Sequence, residues 1–269
     1  MKINRIVRLY FSPGDSTRKI VQAVAEGMGD YETLELDRTS FDSRWMGADL
    51  TEGDVAVIGM PVYYGRAPKI LVEFFRYIEA KKIPAVVVAV YGNRDYEDAL
   101  LELVNESGNH GFLPVAAGAF IGQHSFTDKL GTGRPDGGDL TLAREFGERA
   151  AAILAETENP AALHLTVKGN YPYTPGADLP LAPVTDMEKC TKCMACQINC
   201  PVQAINPLDV SEVDAWRCLD CGRCMSQCPA GAKSMTNPAF REKIIIMEAM
   251  FTSRRQPELY YADSLSDTM

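Results

Sequence analysis

The eight cysteines carry the first chemical signal, because all of them fall between Cys190 and Cys228 and none precedes them. They form two copies of one pattern, 28 positions apart. The first is Cys190-x2-Cys193-x2-Cys196-x3-Cys200-Pro201, and the second is Cys218-x2-Cys221-x2-Cys224-x3-Cys228-Pro229. Four thiolates suit either tetrahedral zinc or an iron–sulfur cluster. Zinc needs only pairs of CxxC, which leaves the third cysteine and the Cys-Pro of each copy unexplained. Three thiolates from one tight loop cap three corners of a cubane, and the fourth corner must be reached from elsewhere. The spacing therefore points to two [4Fe–4S] clusters, and a side-by-side pair points to an electron relay. Confinement to one segment also argues against a distributed disulfide framework.

The rest of the chain must position this segment. Its 269 residues carry 27 Lys plus Arg against 36 Asp plus Glu, a formal net charge of −9. Hydrophobic residues make up 46% and charged residues 23%, the balance of a globular protein that buries a core without staples. Apolar runs such as Ile83 to Tyr91 fall far short of the roughly 20 residues a membrane helix needs. The start, MKINRIVRLYF, threads charges through a strand and lacks a small-residue cleavage site, which disfavours secretion. An acidic balance disfavours nucleic-acid binding. A reduced, cytoplasmic protein is expected.

Strand-like and helix-like patterns alternate through the first 157 residues. Strands are expected at Ile3 to Phe11, Tyr31 to Leu36, Asp54 to Met60, Pro84 to Tyr91 and Phe112 to Ile121. Helices are expected at Thr17 to Met28, about Ala67 to Glu79, Tyr96 to Glu106 and Asp139 to Glu156. Continuous apolar strands alternating with helices predict an α/β fold with a doubly wound, five-stranded parallel sheet, its ligand outside the carboxyl ends of the strands. Residues 158–185 hold five of the 16 prolines and read as an extended linker, with Tyr171 and Tyr173 to dock it. The cysteine segment is placed at 186–236 and a closing helix with a polar, frayed tail at 237–269.

The cysteine segment resembles the two-cluster bacterial ferredoxins over about 50 residues. That resemblance implies crossed ligation. One cluster takes Cys190, Cys193, Cys196 and Cys228; the other takes Cys218, Cys221, Cys224 and Cys200. Lys189, Lys192, Arg217 and Arg223 lie in or beside the loops, either tuning the clusters and partner docking or forming a solvated surface.

Three loops of the first half carry a second resemblance. Phe11-Ser-Pro-Gly-Asp-Ser-Thr17 opens a helix, as a phosphate site requires. With Met60-Pro-Val-Tyr-Tyr-Gly-Arg66 and Tyr91-Gly-Asn-Arg-Asp-Tyr96 it resembles flavodoxin. Together with the cysteines, and with FIGQHSF at 120–126 and KGNYPY at 168–173, the chain resembles the flavodoxin–ferredoxin fusions called EFR1-type ferrodoxins. The resemblance implies an FMN. Ser12, Gly14, Ser16 and Thr17 would hold its phosphate. Pro61, Tyr63, Tyr64, Gly65, Tyr91 and Gly92 would shape the ring pocket, and Asn93 and Arg94 would contact the ring edge. Flavodoxin loops usually carry Gly where this chain has Asp15, and often Thr where it has Gly14. A carboxylate there repels a phosphate unless it points outward or pairs with Arg18 or Lys19; otherwise the loop has lost FMN.

Lesser signals are His124, placed to protonate a flavin or substrate or else a structural residue, and Arg134, within reach of an anion from a glycine-rich loop. Arg254 and Arg255 would fold back onto either half. The expected function is electron transfer between two clusters and an FMN, converting one- and two-electron chemistry in an anaerobic setting with a redox partner protein. The alternatives are a flavin-dependent reductase of a small molecule, and an FMN-free ferredoxin with a docking domain.

Overall fold

The computed structural model describes residues 1–176 and 180–264. Strands β1 (Arg5–Tyr10), β2 (Glu32–Asp37), β3 (Asp54–Pro61), β4 (Ile83–Tyr91) and β5 (Phe112–Ile121) pair in parallel in the order 2-1-3-4-5. That is the flavodoxin-like doubly wound order. All of β4 is buried, as is β3 up to Pro61, because helices cover both faces. On one face, α1 (Ser16–Gly27) delivers Ile20, Val21 and Val24, and α4 (Gly137–Glu156) delivers Phe146 and Ala150. On the other, α2 (Leu71–Phe75) brings Phe74 and Phe75, and α3 (Ala99–Asn109) brings Leu100 and Leu103. The close approach of α1 and α4 demands glycine: a Cβ at Gly147 would stand 2.1 Å from the Val24 carbonyl oxygen.

Two departures from the sequence expectation have physical causes. The sheet gains a sixth strand, β9 (Glu258–Tyr261), antiparallel on the edge of β5. Tyr260 packs to one core and Tyr261 to the other, so the tail is a structural strand rather than a frayed end. Residues 265–269 lie outside the described residues. Helix α2 is five residues long, not thirteen. Adjacent helical residues point about 100° apart, and the turn ends once Phe74 and Phe75 both reach the core, with Tyr77 left-handed at φ 62°.

The proline-rich segment is pinned rather than loose. The buried Asp98 carboxylate accepts from the backbone of Asn170 at 2.7 Å and of Thr174 at 2.6 Å. Tyr173 lies under the Arg66 guanidinium, whereas Tyr171 is 79% exposed and does not dock. The two residues of β6 (Leu163–His164) pair with β10 (Asp263–Ser264). In the cysteine segment β7 (Val184–Thr185) pairs with β8 (Lys233–Ser234), and α5 (Ala195–Ile198) and α6 (Arg223–Ser226) are single turns. Helix α7 (Pro238–Met250) follows, capped by Asn237, whose Oδ1 accepts from Phe240 N at 3.1 Å. Among the described residues no helix is long and apolar enough to cross a membrane.

Candidate functional site

The two cysteine copies fold alike, residue for residue. Cys190 N donates to the Asp186 carbonyl, and Cys218 N to that of Asp214, each at 3.0 Å. Lys192 and Met194 are left-handed in the first loop, Asp220 and Gly222 in the second, and these bends turn the thiols inward before α5 and α6 begin. One cavity is lined by Cys190, Cys193, Cys196 and Cys228, and a second by Cys200, Cys218, Cys221 and Cys224. Each cavity thus draws three thiols from one copy and the last from the other. Ala204 N donates to Cys200 Sγ at 3.3 Å and Ala232 N to Cys228 Sγ at 3.2 Å, aiming both crossing residues. Among the described residues no three of His, Cys, Asp or Glu converge as a single ion would require. Four soft donors around each cavity fit a group with separated corners. Burial pushes the free Cys221 thiol up to about 12 and the Cys224 thiol to about 11; a bound cluster would hold both as thiolates.

At the carboxyl ends of the strands lies a cleft of about 720 Å³, within the usual range of ligand sites. Gly14, Ser16 and Thr17 line one end, at the start of α1. The Ser16 and Thr17 hydroxyls have no hydrogen-bond partner among the described residues, and a Cβ at Gly14 would meet open space. These are the features a phosphate oxygen would satisfy. Pro61, Tyr63, Tyr64 and Gly65 form one wall, and Tyr91, Gly92 and Arg94 the next. Tyr64 and Gly65 are both left-handed, at φ 53° and 76°, the signature of a tight primed turn closed between Tyr63 and Arg66. Ten of the twelve residues assigned to the flavin from sequence therefore share this cleft.

Ser12 and Asn93 do not line it. Ser12 lines a neighbouring polar cavity, and its Oγ accepts from Arg18 N at 3.0 Å. Asn93 is buried and left-handed, and its amide donates to the carbonyls of Phe251 and Ser253, so it fastens the tail instead of a ring edge. Arg134 is not free for an anion. It pairs with Asp139 and donates to the Arg255 carbonyl at 2.7 Å. Arg254 folds onto Asp136 at 2.7 Å and Arg255 onto Asp95 at 3.6 Å, both in the first half. Asp15 takes up the left-handed region at φ 69°, and its carboxylate meets Arg18 at 2.6 Å and Lys19 at 3.5 Å. The Arg18 hydrogen bond holds that carboxyl below its usual range. His124 lines the cleft, and its Nδ1 accepts from Phe126 N at 3.2 Å. Burial, with the Arg94 charge adding to it, lowers its pKa to about 4, so the ring is neutral at pH 7.

The second cysteine loop forms part of the cleft wall. Asp220, Cys221 and Gly222 line it, and Cys221 also lines the second thiol cavity. Tyr64 donates to Asp220 at 2.9 Å, and Arg223 to the Pro13 carbonyl at 2.8 Å. A Cβ on Gly222 would come within 3.1 Å of Ser125. Burial, then the charges of Cys221 and Cys218, keep the Tyr63 phenol protonated. Sequence reasoning missed Asp220, the Lys243 and Met247 face of α7 that closes the cleft, and Arg44. Arg44 is buried and donates to the Pro201 carbonyl, tying the β2–β3 connection to the Cys200 corner. The spacing of Phe240, Lys243, Ile244 and Met247 along one helical face was the available signal for α7.

The 4Fe-4S dicluster domain family matches residues 189–232. Over 64 residues the chain is 39% identical to the NADH-dependent phenylglyoxylate dehydrogenase subunit delta of Aromatoleum evansii. That match covers 22% of this chain, which spans 63% of the relative's length. Among solved structures, a flavodoxin from the domain Archaea is 12% identical, covering 56% of this chain and 99% of its own, with a TM-score of 0.41. A WrbA-like flavodoxin from Agrobacterium tumefaciens is 20% identical, covering 57% and 98%, with a TM-score of 0.35. The chain is a flavodoxin-like sheet fused to a 4Fe-4S dicluster segment.

Proposed function

We propose that this protein is an electron-transfer protein of the EFR1-type ferrodoxin kind, holding two [4Fe–4S] clusters and an FMN. The observation that carries the reading is Cys221, shared by the second thiol cavity and the wall of the cleft. When bound, each cluster carries one electron and the flavin exchanges one or two. Cys190, Cys193, Cys196 and Cys228 hold one cluster, and Cys218, Cys221, Cys224 and Cys200 the other. Ser16, Thr17 and the first N–H groups of α1 receive the phosphate beside Gly14, while Pro61, Tyr63, Tyr64, Gly65, Tyr91, Gly92 and Arg94 enclose the ring. Tyr63, Tyr64 and Asp220 exclude water between the thiol cavity and the cleft. Cys193 is exposed, which gives the first set the face toward a redox partner.

The division into 1–157, 158–185, 186–236 and 237–269, a cytoplasmic and oxygen-poor setting, and a partner that is a larger oxidoreductase belong to the same proposal. The relative's printed name, a subunit of an NADH-dependent dehydrogenase, supports the last. A flavin-dependent reductase is the second reading, favoured by His124, Lys243 and Met247 lining the same cleft as the ring pocket.

Anaerobic purification with iron and flavin analysis tests the proposal, with about eight irons and one FMN per chain expected. Iron without flavin would leave only a ferredoxin with a docking domain. Thr17→Ala and Ser16→Ala should each lower flavin retention; unchanged retention in both would reject the phosphate site.

A further inference from the structure

Aligning the two cysteine copies at their separation of 28 positions sets a buried cation against a buried aliphatic residue. Five residues after the last cysteine of each copy stand Ile205 and Lys233. Both are buried, at 3% and 5% exposure. Both sit in equivalent pairings, Ile205 against Val213 and Lys233 against Thr185. Ile205 lines the cavity that holds Cys218, and Lys233 lines the cavity that holds Cys190. An isoleucine is the ordinary filling for such a wall, whereas lysine is almost never fully buried unless paired.

No direct ion pair compensates this ammonium among the described residues. Its Nζ donates to the Val210 carbonyl at 2.6 Å, and among the described residues it has no carboxylate partner. It acts on the Asp209 carboxylate only at longer range, and it shares the lining of its cavity with Cys190, Cys193, Cys196 and Cys228. Val210, the hydrogen-bond partner, lines the same cavity, as does Cys196. The ammonium therefore belongs to the first cavity, as Ile205 belongs to the second.

We propose that Lys233 is a potential-setting residue that selectively raises the reduction potential of the cluster held by Cys190, Cys193, Cys196 and Cys228. This rests on the two-cluster reading above. A cluster gains one negative charge with each electron it takes, and a fixed buried cation stabilises the reduced form over the oxidised one. The second cluster has the neutral Ile205 in the equivalent place and lacks that contribution.

The test is an anaerobic redox titration of the full chain, with dithionite as reductant and both clusters followed by electron paramagnetic resonance. In Lys233→Met and in Lys233→Gln, which keeps the Val210 hydrogen bond, one reduction step should move to lower potential and the other should move less. Lys233→Arg should restore the first step, and Ile205→Lys should raise the other. Both steps unmoved in the two neutral variants, at about eight irons per chain, would overturn the proposal. Loss of iron from both neutral variants, with iron kept in Lys233→Arg, would overturn it too, making the charge an assembly requirement. Wild-type protein without a cubane signal would instead sink the cluster reading itself.

Discussion

Phe120, Phe146 and Val86 are fully buried on one face of the sheet, and Phe74, Leu100 and Val87 on the other. The cysteine segment has a thinner interior: its own cluster of buried residues is Cys196, Ile205 and Val210. Its helices are single turns of four residues and its strands have two. The sheet can stand on apolar burial, which scales with area at about 25 cal/mol per Å². The segment has little such reserve beyond Leu219, which joins the core of the sheet, so its folding energy is expected to come from ligation. The two halves of one chain therefore fold around different things, hydrocarbon in one and the expected metal clusters in the other.

The strongest way to break that comparison is to remove the metal. Chelation of iron should abolish hydrogen-exchange protection across residues 184–236 while β3 and β4 stay protected. Protection persisting in the cysteine segment would show that it folds without clusters. The converse variant is Phe120→Ala, which empties a site packed edge-on against Phe146 at 5.8 Å. It should cost about 3–5 kcal/mol in chemical denaturation of the sheet, with iron per folded chain unchanged. Iron lost in proportion to that destabilisation would mean the two halves unfold as one unit.

His124 lies where the halves meet, and it gives the comparison a pH axis. Its folded pKa, lowered by burial and by Arg94, is about 4 against an ordinary 6.5. Between those values the unfolded chain takes a proton that the folded chain refuses. Stability should therefore fall as pH drops from about 6.5 to 4, by about 3 kcal/mol in all. His124→Gln should flatten that slope, and an equal slope in the variant would mean that other groups produce it.

How much of this was legible in the sequence depended on the range of the interaction that decides each element. Strand β4 needs only its own run of aliphatic residues, and β5 likewise, so both were readable as written. The gathering of the thiols into two cavities of four was readable because the cysteine spacing is local. Strand β9 was not, since Glu258–Tyr261 becomes a strand only by pairing with the edge of β5 far earlier in the chain. The tail contacts of Asn93 are hidden from the sequence for the same reason. Its position in a flavin-like loop is local, but the carbonyls that claim its amide lie at Phe251 and Ser253. Lys233 was legible in principle, because laying one cysteine copy over the other sets it against Ile205. Its burial was not, as no local pattern says that a lysine after a Cys-Pro turn faces inward.

The smallest expected effect bears on Asp15, where the flavin end of the cleft departs most from a flavodoxin loop. Its backbone is left-handed at φ 69°, a conformation that costs a side-chain-bearing residue roughly 1 kcal/mol and glycine almost nothing. Its ion pairs with Arg18 and Lys19 are about half exposed and contribute only about 0.3–0.5 kcal/mol. The two terms oppose each other, so Asp15→Gly should raise stability by less than about 1 kcal/mol. Its effect on flavin should be the clearer one. Arg18 and Lys19 would lose their carboxylate and leave a net positive edge beside Gly14, Ser16 and Thr17, the end proposed to receive the phosphate. FMN should then dissociate more slowly, and more so at low ionic strength, where an exposed charge is least screened. A flavin dissociation constant that is unchanged at every salt concentration would mean that Asp15 already points its charge away from the site. The departure from the flavodoxin loop would then be one of backbone geometry alone.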